Sequence, residues 1–321
     1  MNEMAMTVRG AVEIEEAQTD ILSAFAAFLR LNVAQGDASE ETIRSYHANA
    51  GQFVGWCWDQ GLDPAAANEG DLERYRAALV AEGYQRGTIA VKLSVVRRLY
   101  QAALWRGLRT DNPAAGLKAP KERSDRSERV KFLPLAGFQQ LLSSPDGTTV
   151  RGKRDRAILA LLGFHGLRVS EVAGLEIANL HLGESPRITV TGKGGKTRQV
   201  YLIATTRRIL EAWLAVRPAG LHHQRVFVAL DNRSAGGPLS DRSIRYMVDG
   251  HLGALGLKED GISCHSLRHS FATWSLAGGA KLESIQDALG HDSIETTQIY
   301  AKVVDRMREN PTLYLERLIT A

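Results

Sequence analysis

Cysteine is nearly missing from this chain of 321 residues: Cys57 and Cys264 are the only two, far apart, and neither sits in a Cys-x-x-Cys or Cys/His ligand spacing. That excludes a disulfide-stapled scaffold, leaves zinc binding without support, and suits a reduced intracellular protein. Long apolar runs are missing as well. Nothing approaches the roughly 18 uninterrupted apolar residues of a membrane helix. Glu3, Glu13 and Glu15 occupy the amino terminus where a signal peptide would be apolar, so a cytoplasmic protein is expected. Strong charge of one sign is also absent, because 40 Lys and Arg face 36 Asp and Glu for a formal net charge of +4. A balance this mild permits a polyanionic partner without requiring one, so the placement of the basic side chains has to decide. There is no internal repeat.

What is present is enough for two domains, each with its own core. Residues 1–17 read as an extension, and 18–118 as four helices. Ile21, Phe25, Phe28 and Leu29 share a face in the first. Ile43, Tyr46, Ala50, Phe53 and Cys57 form a stripe in the second, Leu72, Tyr75 and Leu79 in the third, and Ile89, Leu93, Val96 and Tyr100 in the fourth. Asp111-Asn112-Pro113 is expected to stop the fourth helix. Residues 119–131 carry charge without apolar periodicity and read as a linker. From 132 to 321 the pattern is mixed: helices at 136–143, 153–165, 168–175, 205–216 and 240–255, with short helical pieces to the end. Between them, Arg187–Thr191 and Arg198–Leu202 flank a Gly-containing turn and predict a hairpin. The expected fold is mainly α, with a small β-sheet in the second domain.

Polar positions on the first domain suit phosphate contacts. Thr42 and Arg44 follow an expected cap at Ser39, and Thr88, Lys92 and Arg97 stand off the apolar stripe of the fourth helix. A solvated helix face has the same pattern.

The second domain carries the chemistry. Breaking a phosphodiester without a metal requires an in-line nucleophile, cations at the non-bridging oxygens and a proton donor for the leaving oxygen. Arg168 opens a helix after Gly166-Leu167, where anions are already attracted, and Glu171 shares its face. Lys193 lies among Gly192, Gly194 and Gly195, which allow close approach of a ligand. His265 and Arg268 are three apart on one helical face. Gly290 caps a helix built on Leu282, Ile285 and Leu289, His291 follows in the turn, and Asp292 with Glu295 resembles a capping box opening the helix that carries Tyr300. Each fragment alone also fits an ordinary surface arginine, a Gly-rich turn, a bonded histidine or a core tyrosine. Their joint order is hard to obtain from unrelated structural needs.

At these motifs, from about residue 130 to 303, the sequence resembles the tyrosine recombinases (phage-integrase family, Xer type). The resemblance implies a two-domain, C-shaped clamp on double-stranded DNA, a covalent 3′-phosphotyrosine intermediate leading to a Holliday junction, and no metal or nucleotide cofactor. It implies that Arg168 and Arg268 hold the scissile phosphate and that Lys193 protonates the leaving 5′ oxygen. Tyr300 would attack, His265 would exchange the tyrosine proton, His291 would hydrogen-bond the phosphate, and Glu171 would brace the site. In the first domain the likeness rests on Thr42, Tyr46, Thr88 and Arg97. Trp274 departs from the pattern, standing where many relatives carry a histidine. A tetramer on paired sites, a second recombinase as partner and a nucleoid-associated location also follow from the resemblance. Leu315, Leu318 and Ile319, after the break at Asn310-Pro311, would dock on a neighbouring subunit. Rival readings are a type IB topoisomerase-like enzyme, a non-catalytic DNA-binding protein, and a metal-dependent hydrolase using His265, His269 and His291.

Overall fold

The computed structural model describes residues 21–33, 38–120, 126–192, 195–231, 234–291 and 294–308. The chain divides into two compact units, Met1–Arg123 and Ser124–Ala321.

The first unit holds four helices: α1 (residues 21–32), α2 (Glu40–Asp59), α3 (Glu69–Ala81) and α4 (Arg86–Arg106). Ser39 caps α2 by accepting from the Thr42 N–H at 3.2 Å, with Glu40 and Glu41 in the first turn facing the positive end of the helix dipole. The apolar stripes meet in one core where Phe53 packs edge-on to Tyr75 and Tyr100, with centroids 5.0 and 6.0 Å apart. Burying each such side chain stabilises by about 1.5–3 kcal/mol. Helix α4 ends earlier than Asp111-Asn112-Pro113: Gly107 takes the left-handed conformation (φ 77°) and Leu108 N–H returns to Ala103 O at 2.9 Å. Asn112-Pro113 instead opens the next turn, with Asn112 Oδ1 accepting from Ala114 N–H.

The second unit is built around α6 (Val150–His165), where Ala157 to Leu162 are all fully buried, so the second half of the helix is apolar on every side. Around it lie α5 (Leu135–Ser143), α7 (Val169–Ala173), α8 (Ala204–Leu214), α9 (Asp241–Ala254), α10 (Cys264–Ala277), α11 (Leu282–Leu289) and α12 (Glu295–Arg308). The hairpin is present as β2 (Arg187–Thr191) and β3 (Thr197–Tyr201). A two-residue strand β1 (Leu180–His181), absent from the sequence pattern because it is too short to show alternation, completes an antiparallel sheet in the order β1-β2-β3. Part of the expected linker is structured: Arg126–Arg129 form a 3-10 turn, and Ser127 is buried and bonded to Arg306 of α12. Trp274 earns its place by packing, its Nε1–H donating to Leu133 O at 3.0 Å while its ring lies 5.2 Å from that of Phe138.

Candidate active site

Helix α6 stops at Gly166, whose left-handed backbone (φ 61°) turns the chain so that Arg168 becomes the N-cap of α7. Glu171, one turn on, reaches back to the Arg168 N–H at 2.9 Å and accepts from Arg168 Nη1 at 3.0 Å. The same carboxylate is held from the other side by Arg198 of β3, at 2.7 and 3.0 Å. Burial by itself would raise the Glu171 pKa, but Arg198 and Arg168 together outweigh it and hold the carboxyl below its usual range.

The carbonyl end of α11 collects the arginines. A helix carboxyl terminus leaves carbonyls without partners and is the negative end of the dipole. Ala288 O accepts from Arg198 Nε at 2.9 Å, Leu289 O from both Arg168 Nη1 at 3.3 Å and Arg268 Nη2 at 2.5 Å, and Gly290 O from Arg168 Nη2 at 3.3 Å. Arg268, only 2% exposed on α10, also donates to Gly166 O at 2.6 Å. Burial, then the neighbouring Arg168, lowers its pKa to about 10, so it stays charged at neutral pH. Gly290 meets two needs: its φ of 62° ends α11, and a Cβ there would stand 3.2 Å from Arg198 Nη1.

The nucleophile expected at Tyr300 is on α12, 3% exposed, and its hydroxyl lies 2.8 Å from His269 Nδ1. The tyrosine hydroxyl thus pairs with His269, while His265, expected to exchange its proton, stacks edge-on against that ring at 4.5 Å. Burial lowers the His269 pKa to about 4, helped by His265 and Arg268, so the imidazole is neutral and can accept. Burial raises the Tyr300 phenol, with Arg268 pulling the other way. His291 places Nδ1 3.0 Å from Thr297 Oγ1, and burial together with Arg268 and Arg168 lowers its pKa to about 4.

A cavity of about 800 Å³ runs beside this cluster, lined by Arg168, Gly192, Lys196, Arg198, Gly290 and His291 among others. Lys193 lies outside the described residues, but Gly192 and Lys196, which bracket it in sequence, line that cavity. Asp292, the Glu295 side chain and the segment 309–321 also lie outside the described residues. Among the described residues, no cluster of three or more His, Cys, Asp or Glu side chains is set to hold a metal, and no helix is long and apolar enough to cross a membrane.

On the first unit the expected DNA contacts divide. Arg44 and Thr88 are exposed, and Thr42 is half-buried beside Ser39. Lys92 is corrected: it is 6% exposed, its ammonium bonded to Gln52 and Asn49 and lying 4.7 Å from the centroid of the Tyr84 ring. The reason is helical spacing, since position 92 falls three after Ile89 and four before Val96, on the stripe itself. Arg97 is likewise turned inward, donating to Leu117 O at 2.7 Å and Ala114 O at 3.3 Å.

Arg198 was missed in the sequence, and His269 figured there only as a candidate metal ligand. Each had a signal: Arg198 is in phase with Val200 on β3, and His269 lies one turn from His265.

The Phage integrase family matches residues 131–307, and the phage integrase N-terminal SAM-like domain matches residues 22–107. The chain is 36% identical to the tyrosine recombinase XerC of Pelobacter propionicus, over 84% of this chain and 88% of that one. It is 33% identical to the tyrosine recombinase XerD of Chlorobaculum tepidum, over 91% and 94%. Its fold is shared with the XerH site-specific recombinase bound to palindromic difH substrate, at TM-score 0.74 and 21% identity, covering 91% of this chain and 85% of that one. It is also shared with a lambda integrase dimer bound to a core site, at TM-score 0.66 and 17% identity, covering 86% and 95%. With both domain matches in the order found here, and with relatives of this identity over most of its length, the chain belongs to the phage integrase family of tyrosine recombinases.

Proposed function

We propose that this protein recombines DNA at specific sites by cutting and rejoining strands through Tyr300. The observation that carries this reading is the meeting of Arg168 and Arg268 at one carbonyl, that of Leu289, in the same cluster that holds the Tyr300 hydroxyl on His269. Two guanidinium groups so placed match the charge that develops on the non-bridging oxygens of a phosphodiester under attack. The Tyr300 oxygen attacks phosphorus and its proton passes to His269. The bond to the 5′ oxygen breaks, and that oxygen takes a proton from Lys193. The product is a 3′-phosphotyrosine and a free 5′ hydroxyl. Because the new ester preserves the energy of the old one, religation needs no nucleotide, and attack by the 5′ hydroxyl of another duplex yields a Holliday junction. His291 donates to the phosphate, and His265 supports His269. Since Tyr300 is only 3% exposed, α12 must shift before the hydroxyl reaches a phosphate, which couples DNA binding to site opening.

Outside the cluster, Arg44, Thr88 and Thr42 supply backbone contacts on the first unit. Exchange between two duplexes requires four sites, so the working form is a tetramer on paired sites, alone or with a second recombinase, acting at the nucleoid. The test is a nicked suicide substrate carrying a candidate site. The protein should become covalently attached to the 3′ side in excess EDTA and without nucleotide. Recombinant junctions should form only when two sites are present. Relaxation of supercoils without any paired-site product would instead indicate a topoisomerase.

A further inference from the structure

Arg198 takes no part in the roles just assigned, yet it is bonded to both Glu171 and the end of α11. It lies on β3 opposite Val190 and in phase with buried Val200, so strand alternation turns it toward the core. Its side chain is 14% exposed. The fork grips both oxygens of Glu171 at 2.7 and 3.0 Å, and Nε donates to Ala288 O at 2.9 Å. One guanidinium thus ties together three separately encoded pieces: the hairpin, the start of α7 and the end of α11. Three of its five N–H donors are committed to this task. Arg168 differs, being 37% exposed and joined to Leu289 and Gly290 by long 3.3 Å bonds that a phosphate can replace.

The charges sharpen the point. Glu171 is 1% exposed and has two cationic partners, Arg168 and Arg198. With Arg198 in place, one positive charge is cancelled by the carboxylate and the other faces the cleft. Without it, the buried carboxylate has Arg168 as its remaining cationic partner in this pair of bridges, and draws that guanidinium away from substrate.

We infer that Arg198 is a positioning residue for the strand-cleavage reaction: by sharing Glu171 with Arg168 and holding the end of α11, it keeps Arg168 aimed at the scissile phosphate. This rests on the recombinase reading above.

The experiment is single-turnover cleavage of a nicked suicide substrate by Arg198→Met, Glu171→Gln and the double variant, with site affinity by gel shift and Tm alongside. Arg198→Met should cleave about 10- to 100-fold more slowly, the scale seen when a group orienting a ligating side chain is removed, with affinity within about threefold of wild type. The double variant should cleave faster than Arg198→Met alone, because neutralising the carboxylate releases Arg168; a merely structural strut would make the double variant worse. Should Arg198→Met fail to fold, Arg198→Lys, which keeps the charge but not the fork, takes its place in the same comparison. Wild-type cleavage by the Arg198 variant, or a double variant slower than Arg198→Met, overturns the proposal. A wild-type protein that forms no Tyr300 adduct overturns the recombinase reading and this inference with it.

Discussion

Arg168 and Arg268 converge on the carbonyl oxygen of Leu289, although they come from different helices far apart in sequence. One is reachable from the cleft, and the other is buried beneath it. Their loss should therefore be felt differently. Either Arg168→Ala or Arg268→Ala should slow adduct formation at least about a hundredfold, the usual scale for one charge-stabilising donor. Arg268→Ala should also lower stability by about 1–3 kcal/mol, because it strips partners from the buried carbonyls of Gly166 and Leu289. Denaturant unfolding beside the kinetic assay checks both, and equal stabilities for the two variants would contradict the burial argument.

Tyr300→Phe should abolish the covalent adduct and leave DNA affinity nearly unchanged. Among the described residues the hydroxyl makes one hydrogen bond, to His269, so the stability cost should stay near 1 kcal/mol. Denaturing gels of the trapped complex provide the measurement, and an adduct formed by the variant would remove Tyr300 from the mechanism.

The two proton transfers can be separated. A substrate with a 5′-bridging phosphorothiolate has a leaving group that needs no proton, so it should restore cleavage by Lys193→Ala. His269→Ala acts on the nucleophile instead, should lose on the order of a hundredfold, and should gain little from the sulfur. Equal rescue of the two variants would contradict this division of labour.

Acid should weaken the second unit through His165, which is 4% exposed and held at 2.9 Å from Thr206 Oγ1. Burial lowers its pKa from 6.5 to about 4. Its folded pKa lies below its unfolded one, so the unfolded chain takes up a proton first as pH falls. Stability is unaffected above pH 6.5, declines between about 6.5 and 4, and by then has lost up to about 3 kcal/mol from this group. His165→Gln should flatten the slope of Tm against pH over that window.

Lys92 and Arg44 should play different roles although their charges are alike. Lys92→Met removes a buried ammonium from Asn49 and Gln52 and should change the stability of the first unit far more than DNA affinity. Arg44→Ala, at an exposed position, should leave stability within about 0.5 kcal/mol of wild type. It should also reduce the salt dependence of binding by about one ion. Gel shifts at several salt concentrations, paired with melting curves, distinguish them.

Periodicity in the chain determined by itself the four helices of the first unit, most of α6, the β2–β3 hairpin and the order of the motifs that carry the family likeness. These are local properties: a helix needs its stripe every three to four residues, a strand its alternation, and Gly166 and Gly290 announce where a turn must take a left-handed backbone. Tertiary structure alone decided which histidine meets Tyr300, that Arg198 grips Glu171, and that Lys92 and Arg97 serve the interior of their own unit. Each of those is a pairing between separate segments, set by how the elements of one unit close on one another. A side chain's charge is written in the sequence, but its partner is chosen by packing.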